Sequence, residues 1–264
     1  MMRTILKIGS AMAIALGVVA MGASSHADTI SWSPSVDLFA GGNNDAFVST
    51  NGTLANAINY TTDTALSPTL NGVQFVGANN NQVAVTGVTG ETIVLTSGGD
   101  NTGAFGDGAF SSQGNIFDLL RSGAFNIQGV TLGNLVVGNT YEIQIFSHDG
   151  RSSRSNAAAG FGDGNETGPV GTLDLNNSDT NITAGTNGTG DFIIGTFTAA
   201  ATTKTFQVFG DANITDNGGV PNFGSGNSQS AINAIQLRTT AVPEPSSLAL
   251  LGLMGVGMTI RRRR

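Results

Sequence analysis

The sequence predicts an all-β protein whose body is a jelly-roll-like β-sandwich. Short runs rich in Val, Ile, Thr and Phe recur between clusters of Gly, Asn and Asp, and glycine alone supplies 38 of the 264 residues. Helical periodicity is rare, and no regular repeat of roughly 20 to 25 residues, which a parallel β-helix would need, is present. A chain of this length with about ten short strands fits two packed sheets.

The strand candidates are short segments rich in β-branched and aromatic residues. They are 46–50, 56–61, 72–76, 82–86, 91–96, 126–132, 140–148, 171–175, 192–198, 204–209 and 231–238. In the longest of these segments, Tyr141, Ile143 and Ile145 alternate with polar residues, as expected for a strand with one buried face. Phe146 breaks the alternation and predicts a second apolar layer.

One short helix is predicted at 116–121, where three apolar residues fall at helical spacing behind Asn115, a candidate N-cap. Trp32, the single tryptophan, lies near the start of the body and is expected to pack against the sandwich. Aromatic side chains that could stack on sugars are therefore few.

The composition excludes several classes of protein. Cysteine is absent, which removes disulfide scaffolds, thiolate zinc sites and cysteine nucleophiles. Residues 28–242 contain five Lys and Arg against seventeen Asp and Glu, a formal charge of −12. This acidic body would repel nucleic acid and anionic headgroups, so no nucleic-acid partner is expected. The charge suits divalent cations or neutral glycans, or serves solubility outside the cell.

The amino-terminal segment 1–27 has the pattern of a secretory signal peptide. Arg3 and Lys7 precede an apolar run over 8–23, and small residues stand at Ser25 and Ala27. These positions predict cleavage after Ala27. The alternative is an uncleaved anchor, although polar residues interrupt the apolar run early.

The carboxyl-terminal segment 242–264 combines a Pro-Glu-Pro motif, an uncharged apolar run over 248–260 and four terminal arginines. Thirteen helical residues span roughly 20 Å, against roughly 30 Å for the hydrocarbon core, so a single thin span is expected. The arginines favour the cytoplasmic side, which leaves the body of the protein outside.

These carboxyl-terminal features resemble the PEP-CTERM sorting signal of Gram-negative bacteria. The resemblance implies processing by exosortase, a membrane transpeptidase of bacteria that make exopolysaccharide, with recognition and cleavage around the Pro-Glu-Pro motif. The residues that carry it are Pro243, Glu244, Pro245, Arg261, Arg262, Arg263 and Arg264. A temporary hydrophobic tail of this kind follows the logic of a GPI signal. The alternative is a generic tail anchor.

The body over 28–241 also carries a resemblance. Its stretches 130–135, 138–146, 149–151 and 232–238 resemble exported PEP-CTERM β-sandwich proteins of galactose-binding-like topology. The resemblance implies a fold and assigns no catalytic residue.

Common enzymatic signatures are missing from the sequence. It contains no Gly-x-Ser-x-Gly elbow, no His-Glu-x-x-His and no P-loop, and His148 is the single histidine of the body. We therefore expect no catalytic residues and no enzymatic activity. A pair of carboxylates that hydrolyses a glycosidic bond would leave no spacing signature in the sequence.

The most concentrated polar group follows a confident strand and comprises His148, Asp149, Arg151 and Arg154. An arginine fork beside a carboxylate can hold sugar hydroxyls or an acidic sugar group, so these residues are candidates for glycan binding. The alternative is an Asp-Gly turn in which Asp149 pairs with a neighbouring arginine.

A second oxygen-rich loop resembles a calcium loop. Asp163, Asn165, Thr167 and Asp174 occupy its first, third, fifth and twelfth positions, with Gly168 at the sixth. The flanking helices of an EF-hand are missing and the twelfth position is Asp rather than Glu. Ordinary turn chemistry in an Asn-, Asp- and Gly-rich body is the alternative.

These observations predict a non-enzymatic surface or exopolysaccharide-matrix protein. It would pass through the inner membrane of a Gram-negative bacterium as an anchored intermediate, with an exosortase-type transpeptidase and exopolysaccharide as partners. A carbohydrate-binding module, with or without calcium, is the alternative function. A glycan hydrolase is the third.

Overall fold

The computed structural model describes residues 29–38, 44–79, 85–97, 102–104, 114–148, 158–164, 171–174, 191–211 and 230–240. The predicted signal peptide and sorting signal lie outside this part of the chain. The strands within it are β1 Ser31–Trp32, β2 Val36–Asp37, β3 Thr53–Tyr60, β4 Thr69–Leu70, β5 Val73–Gln74, β6 Val76–Ala78, β7 Val85–Thr86, β8 Thr92–Ser97, β9 Thr102–Ala104, β10 Ser122–Phe125, β11 Ile127–Gly133, β12 Thr140–Ser147, β13 Ala158–Phe161, β14 Gly171–Asp174, β15 Asp191–Thr198, β16 Thr203–Asp211, β17 Ala231–Ile232 and β18 Ala234–Thr240. A 3₁₀ helix occupies Asn44–Phe47 and α1 occupies Asn115–Leu120.

Two large sheets form the architecture. The seven-stranded sheet has the order β1-β15-β12-β18-β3-β6, with β2 also paired to β15. The six-stranded sheet has the order β14-β13-β16-β11-β8-β7. From β11 onward the chain alternates between them, since β12, β15 and β18 lie in the first sheet and β13 and β16 in the second. This crossing confirms the predicted all-β, jelly-roll-like sandwich.

The main core fills the space between the two sheets. Its fully buried side chains alternate along the strands, as β-sheet geometry requires. They include Ile93, Leu95, Val130, Leu132 and Phe206 from the six-stranded sheet, and Tyr141, Ile143, Ile145, Ile235 and Leu237 from the seven-stranded sheet. Burial of each such side chain stabilises the fold by about 1.5–3 kcal/mol relative to its exposure.

A second apolar layer covers the other face of the seven-stranded sheet. It is built from α1, the β4–β5 hairpin and the 3₁₀ helix. Phe146 lies in this layer, with its ring 5.9 Å from that of Phe75 and 5.8 Å from that of Phe192. The expectation that Phe146 faces a second layer is therefore confirmed.

Trp32 joins the two sheets at the start of the body. Its indole lies 5.3 Å from the ring of Phe161 and 5.5 Å from that of Phe206, and its Nε1 donates to the carbonyl of Gly162 at 3.1 Å. The register partner of Trp32 is Gly195, where a Cβ would lie 2.7 Å from the indole. The predicted packing of Trp32 on the sandwich is confirmed, and Gly195 leaves the room for it.

Four local predictions are wrong. The segment 46–50 is not a strand, because Asn44–Phe47 forms the 3₁₀ helix that supplies Phe47 to the second apolar layer. Segment 72–76 is divided at Phe75 between β5 and β6, which lie in different sheets, and segment 231–238 is two strands divided at Asn233. The predicted helix exists, but its N-cap is Gly114; the amide of Asn115 instead donates to the carbonyl of Thr69 at 2.8 Å.

Candidate functional site

The predicted sorting residues follow the last described strand of the body. Strand β18 ends at Thr240, whose register partner is Thr140 at the start of β12. Its hydroxyl also donates to the carbonyl of Thr140 at 3.3 Å. The end of the sandwich that contains Thr240 is therefore the site from which the carboxyl-terminal segment leaves, and we call it the tail end.

Four short connections form the tail end: 51–52, 87–90, 134–139 and 199–202. Three of them contain a glycine with positive φ: Gly52 at 70°, Gly90 at 102° and Gly138 at 89°. Such angles cost little for glycine and strain other residues. The tight turns close this end of the sandwich over few residues.

Hydrogen bonds join the turns of the tail end to one another. Asn134 Nδ2 donates to the carbonyl of Gly90 at 3.0 Å, which connects the second and third turns. The backbone N–H groups of Leu135 and Gly138 donate to the fourth turn, at the carbonyls of Thr202 and Ala199 at 2.9 and 2.7 Å. The second, third and fourth turns are thus held as one unit.

A buried tyrosine and a buried carboxylate anchor these turns. The Tyr141 hydroxyl accepts from the backbone N–H of Val136 at 2.9 Å and donates to Glu91 Oε1 at 3.3 Å. Thr89 donates to the other oxygen of Glu91, which is 4% exposed. Burial raises the pKa of Tyr141 above its ordinary value; the Glu91 charge acts in the same direction, and the bond from Val136 opposes both.

The polar face of β12 is buried, which sequence reasoning missed. Glu142 accepts from the hydroxyl of Ser49 and, at 3.0 Å, from Asn51 Nδ2. Gln144 accepts from the Ser49 N–H at 2.9 Å and from Gln236 Nε2 at 2.5 Å. These bonds fix the segment that follows the 3₁₀ helix onto the sheet. Alternation in the sequence identified the face, but only the tertiary contacts reveal what covers it.

Arg238 completes this buried polar row. Its Nε and Nη2 donate to the carbonyls of Asn51 and Gly52 at 2.7 and 3.0 Å. Burial lowers the pKa of Arg238 from its ordinary value, and the charge of the facing Glu142 raises it. The guanidinium thus holds the turn 51–52 beside Thr240, where β18 ends and the carboxyl-terminal segment begins.

The opposite end of the sandwich, which we call the loop end, is where β12 and β16 end and β15 begins. Three long connections, 149–157, 175–190 and 212–229, each begin and end beside residues of this end. Backbone register places Asp37 opposite Asp191, and Asp174 and Asp211 on either side of Ala158. Acidic residues therefore gather at the strand termini of the loop end.

One buried asparagine organises the loop end. Asn233 Nδ2 donates to the carbonyls of Leu120 and Ser122 at 2.7 and 2.8 Å, and its Oδ1 accepts from the His148 N–H at 2.6 Å. Its side chain is fully buried. It ties α1 and β10 to the end of β12, and it lies at the break between β17 and β18. An isolated Asn in a strand-like run was the only sequence signal.

The predicted glycan-binding group starts at the loop end. His148 follows β12 directly and is 1% exposed, so its imidazole lies inside the protein. Asp149, Arg151 and Arg154 lie outside the described residues. The binding role of this group stays a prediction.

The predicted calcium loop spans a β-hairpin. Phe161 of β13 pairs with Gly171 of β14, and Asp174 pairs with Ala158. Gly171 and Asp174 are three residues apart on β14, which corresponds to about 10 Å along the strand. Asp163 follows Phe161, the partner of Gly171, and therefore lies toward the end of the hairpin away from Asp174. Asn165 and Thr167 lie outside the described residues, and the ligand set stays a prediction. In the described part of the chain, no three His, Asp or Glu residues are grouped as a metal site would require.

The fold and the position of the tail define a class: an all-β sandwich whose last strand runs directly into a sorting segment. Residues 241–264 match the family model for the PEP-CTERM protein-sorting motif. This match confirms the predicted recognition, and the motif implies export and exosortase-dependent sorting to the cell surface. Across the described ranges, no helix is long and apolar enough to cross a membrane.

Other comparisons add little. No curated protein matches the chain. Among solved structures, the crystal structure of Bacteroides uniformis β-glucuronidase is similar over 71% of this chain and 18% of that one, at 14% identity and a TM-score of 0.33. The chain thus spans less than a fifth of that protein's length, and so low a TM-score carries no argument.

Proposed function

We propose that this protein is a non-enzymatic surface or exopolysaccharide-matrix protein that presents the loop end of its sandwich to its surroundings. The observation that carries the proposal is the position of the sorting motif, which follows β18 at the tail end. Exosortase acts at the membrane, so the tail end faces the membrane and the loop end faces away. Strand β12 has 8 residues, which sets the two ends about 25 Å apart.

The chemistry of the described residues supports a structural role. The buried carboxylates Glu91 and Glu142 both accept hydrogen bonds that fix turns. A general acid or base needs access to its substrate, whereas these groups are 4% and 7% exposed. The long connections of the loop end, rich in Asn, Gly, Ser and Thr, offer many hydrogen-bonding groups for contacts with hydrated matrix.

The test follows the full chain in a host with and without exosortase. We expect the chain to lose its tail and reach the surface or matrix fraction only when exosortase is present. Glu244→Ala should leave an uncut chain in the inner membrane, whereas the neighbouring substitution Ser246→Ala should be processed normally. An uncut chain in the cytosol would contradict the proposal. Delivery to the surface that depends neither on exosortase nor on Glu244 would also contradict it. Release of reducing sugar from the producer's polysaccharide would contradict its non-enzymatic part.

A carbohydrate-binding module is the second candidate. Segment 149–157, which begins at the loop end, supports this candidate. It contains two of the five basic residues of the body, Arg151 and Arg154. A glycan array probed with calcium and again with chelator tests it. The double substitution R151A/R154A should abolish binding, whereas R121A should not, since Arg121 already pairs with Asp118 at 3.6 Å and lies outside segment 149–157. Absence of binding under both conditions would reject this candidate.

A further inference from the structure

The exposed large apolar side chains of the described residues are concentrated at the tail end. Val88, Val136 and Val137 are 81%, 54% and 57% exposed. The other two, Val36 and Val76, lie apart from each other on β2 and β6. Clustered exposed apolar residues mark contact surfaces, whereas scattered ones need no explanation.

These three valines stand on fixed supports. The N–H of Val88 donates to the carbonyl of Ala55 at 2.8 Å, and the N–H of Val136 donates to Tyr141 at 2.9 Å. The Asn134–Gly90 hydrogen bond joins the two turns that carry them. The apolar side chains are therefore held outward by the structure.

The surroundings of the valines are uncharged. The four turns of the tail end contain no Asp, Glu, Lys or Arg, although residues 28–242 carry a formal charge of −12. Four ionisable side chains lie within three residues of these turns in sequence or strand register, Glu91, Glu142, Lys204 and Arg238, and all are less than 10% exposed. An acidic protein that approaches anionic headgroups is repelled least through such a surface.

The carboxyl-terminal segment leaves from the same surface. Thr240 pairs with Thr140, three residues after Val137. Between Thr240 and the apolar run that starts at Leu248 lie residues 241–247, which reach at most about 25 Å. A bilayer that holds the apolar run is thus within reach of the valines.

We propose that the tail end docks on the outer surface of the bilayer in which 248–260 is inserted, with Val88, Val136 and Val137 in the headgroup region. The inference rests on the proposed function, because it needs the anchored intermediate. Weak contacts between the valines and the headgroups suffice, since the short segment 241–247 keeps the tail end near the bilayer at an effective concentration of about millimolar. Docking would orient the acidic loop end outward and keep Pro243–Pro245 at the membrane surface, where the transpeptidase acts.

The experiment uses the absence of cysteine, which allows one fluorescent label per full-length chain. The protein is reconstituted in vesicles of equimolar phosphatidylethanolamine and phosphatidylglycerol, with or without a headgroup-spin-labelled lipid as quencher. We expect labels at Val88→Cys and Val137→Cys to lose most of their fluorescence. Labels at Val36→Cys and Val76→Cys, which are matched exposed valines away from the tail end, should keep it.

A label at Leu250→Cys separates failure of docking from failure of anchoring. If an acyl-chain quencher reaches this label while the Val88 and Val137 labels stay bright, docking is wrong and the proposed function stands. If the Leu250 label is not quenched, the anchored intermediate is wrong, and docking with it. Quenching between labels at Val137 that rises with protein concentration without lipid would identify a second copy as the occupant and overturn the inference.

Discussion

The two ends of the sandwich differ in almost every property that a surface can have. The tail end is closed by four short turns, has no charged residue in them and presents three valines. At the loop end, the long connections 149–157, 175–190 and 212–229 begin and end, and aspartates occupy strand termini. This difference is the basis of the proposed orientation, in which the tail end faces the membrane and the loop end faces the surroundings.

Each end nevertheless depends on one buried polar side chain. Asn233 holds the loop end through three hydrogen bonds, and Tyr141 holds the tail end through two. Buried polar groups of this kind stabilise a fold when every partner is satisfied and destabilise it when one is removed. Substitutions of these two side chains can therefore test how differently the two ends contribute to the free energy of unfolding.

The largest effect is expected from Asn233→Ala. It leaves two carbonyls and one N–H without partners in the core, which should lower the free energy of unfolding by about 3 kcal/mol or more. Denaturant unfolding followed by Trp32 fluorescence measures it. Asn115→Ala is the control, because the Asn115 side chain donates one hydrogen bond, to the Thr69 carbonyl at 2.8 Å, from a helical backbone, and its loss should cost about 1 kcal/mol. Equal losses would contradict the central role of Asn233.

The two tyrosines of the body give the next contrast. Tyr141→Phe removes the partner of Val136 and Glu91 at the tail end and should cost about 1–3 kcal/mol. Tyr60, at the loop end, is 1% exposed, and its hydroxyl has no hydrogen-bond partner among the residues described. Tyr60→Phe should therefore be neutral or stabilising. The same unfolding assay compares the variants, and a loss at Tyr60→Phe as large as that at Tyr141→Phe would refute the assignment.

Alkaline pH should weaken the fold through the same tyrosines. Burial raises the pKa of Tyr60 and of Tyr141 in the folded state, whereas the unfolded chain releases these protons at about pH 10. Their stabilising contribution is therefore complete below pH 10 and is lost as pH rises toward the folded values. Unfolding measured from pH 8 to 11 should show this decline, and Tyr60→Phe should reduce it. A decline unchanged by Tyr60→Phe would show that other groups cause it.

The smallest effect is expected at the exposed valines. Val137→Thr should change the free energy of unfolding by no more than about 0.5 kcal/mol, because its side chain is 57% exposed. Val130→Thr places a hydroxyl in the core, where the valine is fully buried, and should cost about 1–3 kcal/mol. Similar losses at both positions would mean that Val137 packs the fold and would weaken its proposed contact with the bilayer.

Part of the fold was predictable because strand periodicity is local. Strand β12 and its apolar face followed from Tyr141, Ile143 and Ile145, and Phe146 indicated the second layer. The short strands β10 and β13, with the sequences Ser-Gly-Ala-Phe and Ala-Ala-Gly-Phe, carry no comparable pattern and are strands because their neighbours pair with them. The 3₁₀ helix at Asn44–Phe47 likewise depends on the sheet face that it covers.

The candidate sites also differ in whether the sequence alone could predict them. The sorting motif is a contiguous signal, so its residues identify it without any folding, and the family match agrees. The uncharged valine surface joins turns that lie about 50 residues apart in the chain, and neither turn predicts it alone. The residues that bond the buried side chains of Glu142 and Gln144, Asn51 and Ser49, lie more than 90 residues away in the chain.

By itself, the sequence determined the destination of this protein and the class of its fold, because an address signal and alternation along a strand are both properties of neighbouring residues. Only the tertiary structure decided which polar residues are buried, which turns meet, and which end of the sandwich releases the tail. Those properties arise from long-range strand register, and register is fixed by the packing of the whole core.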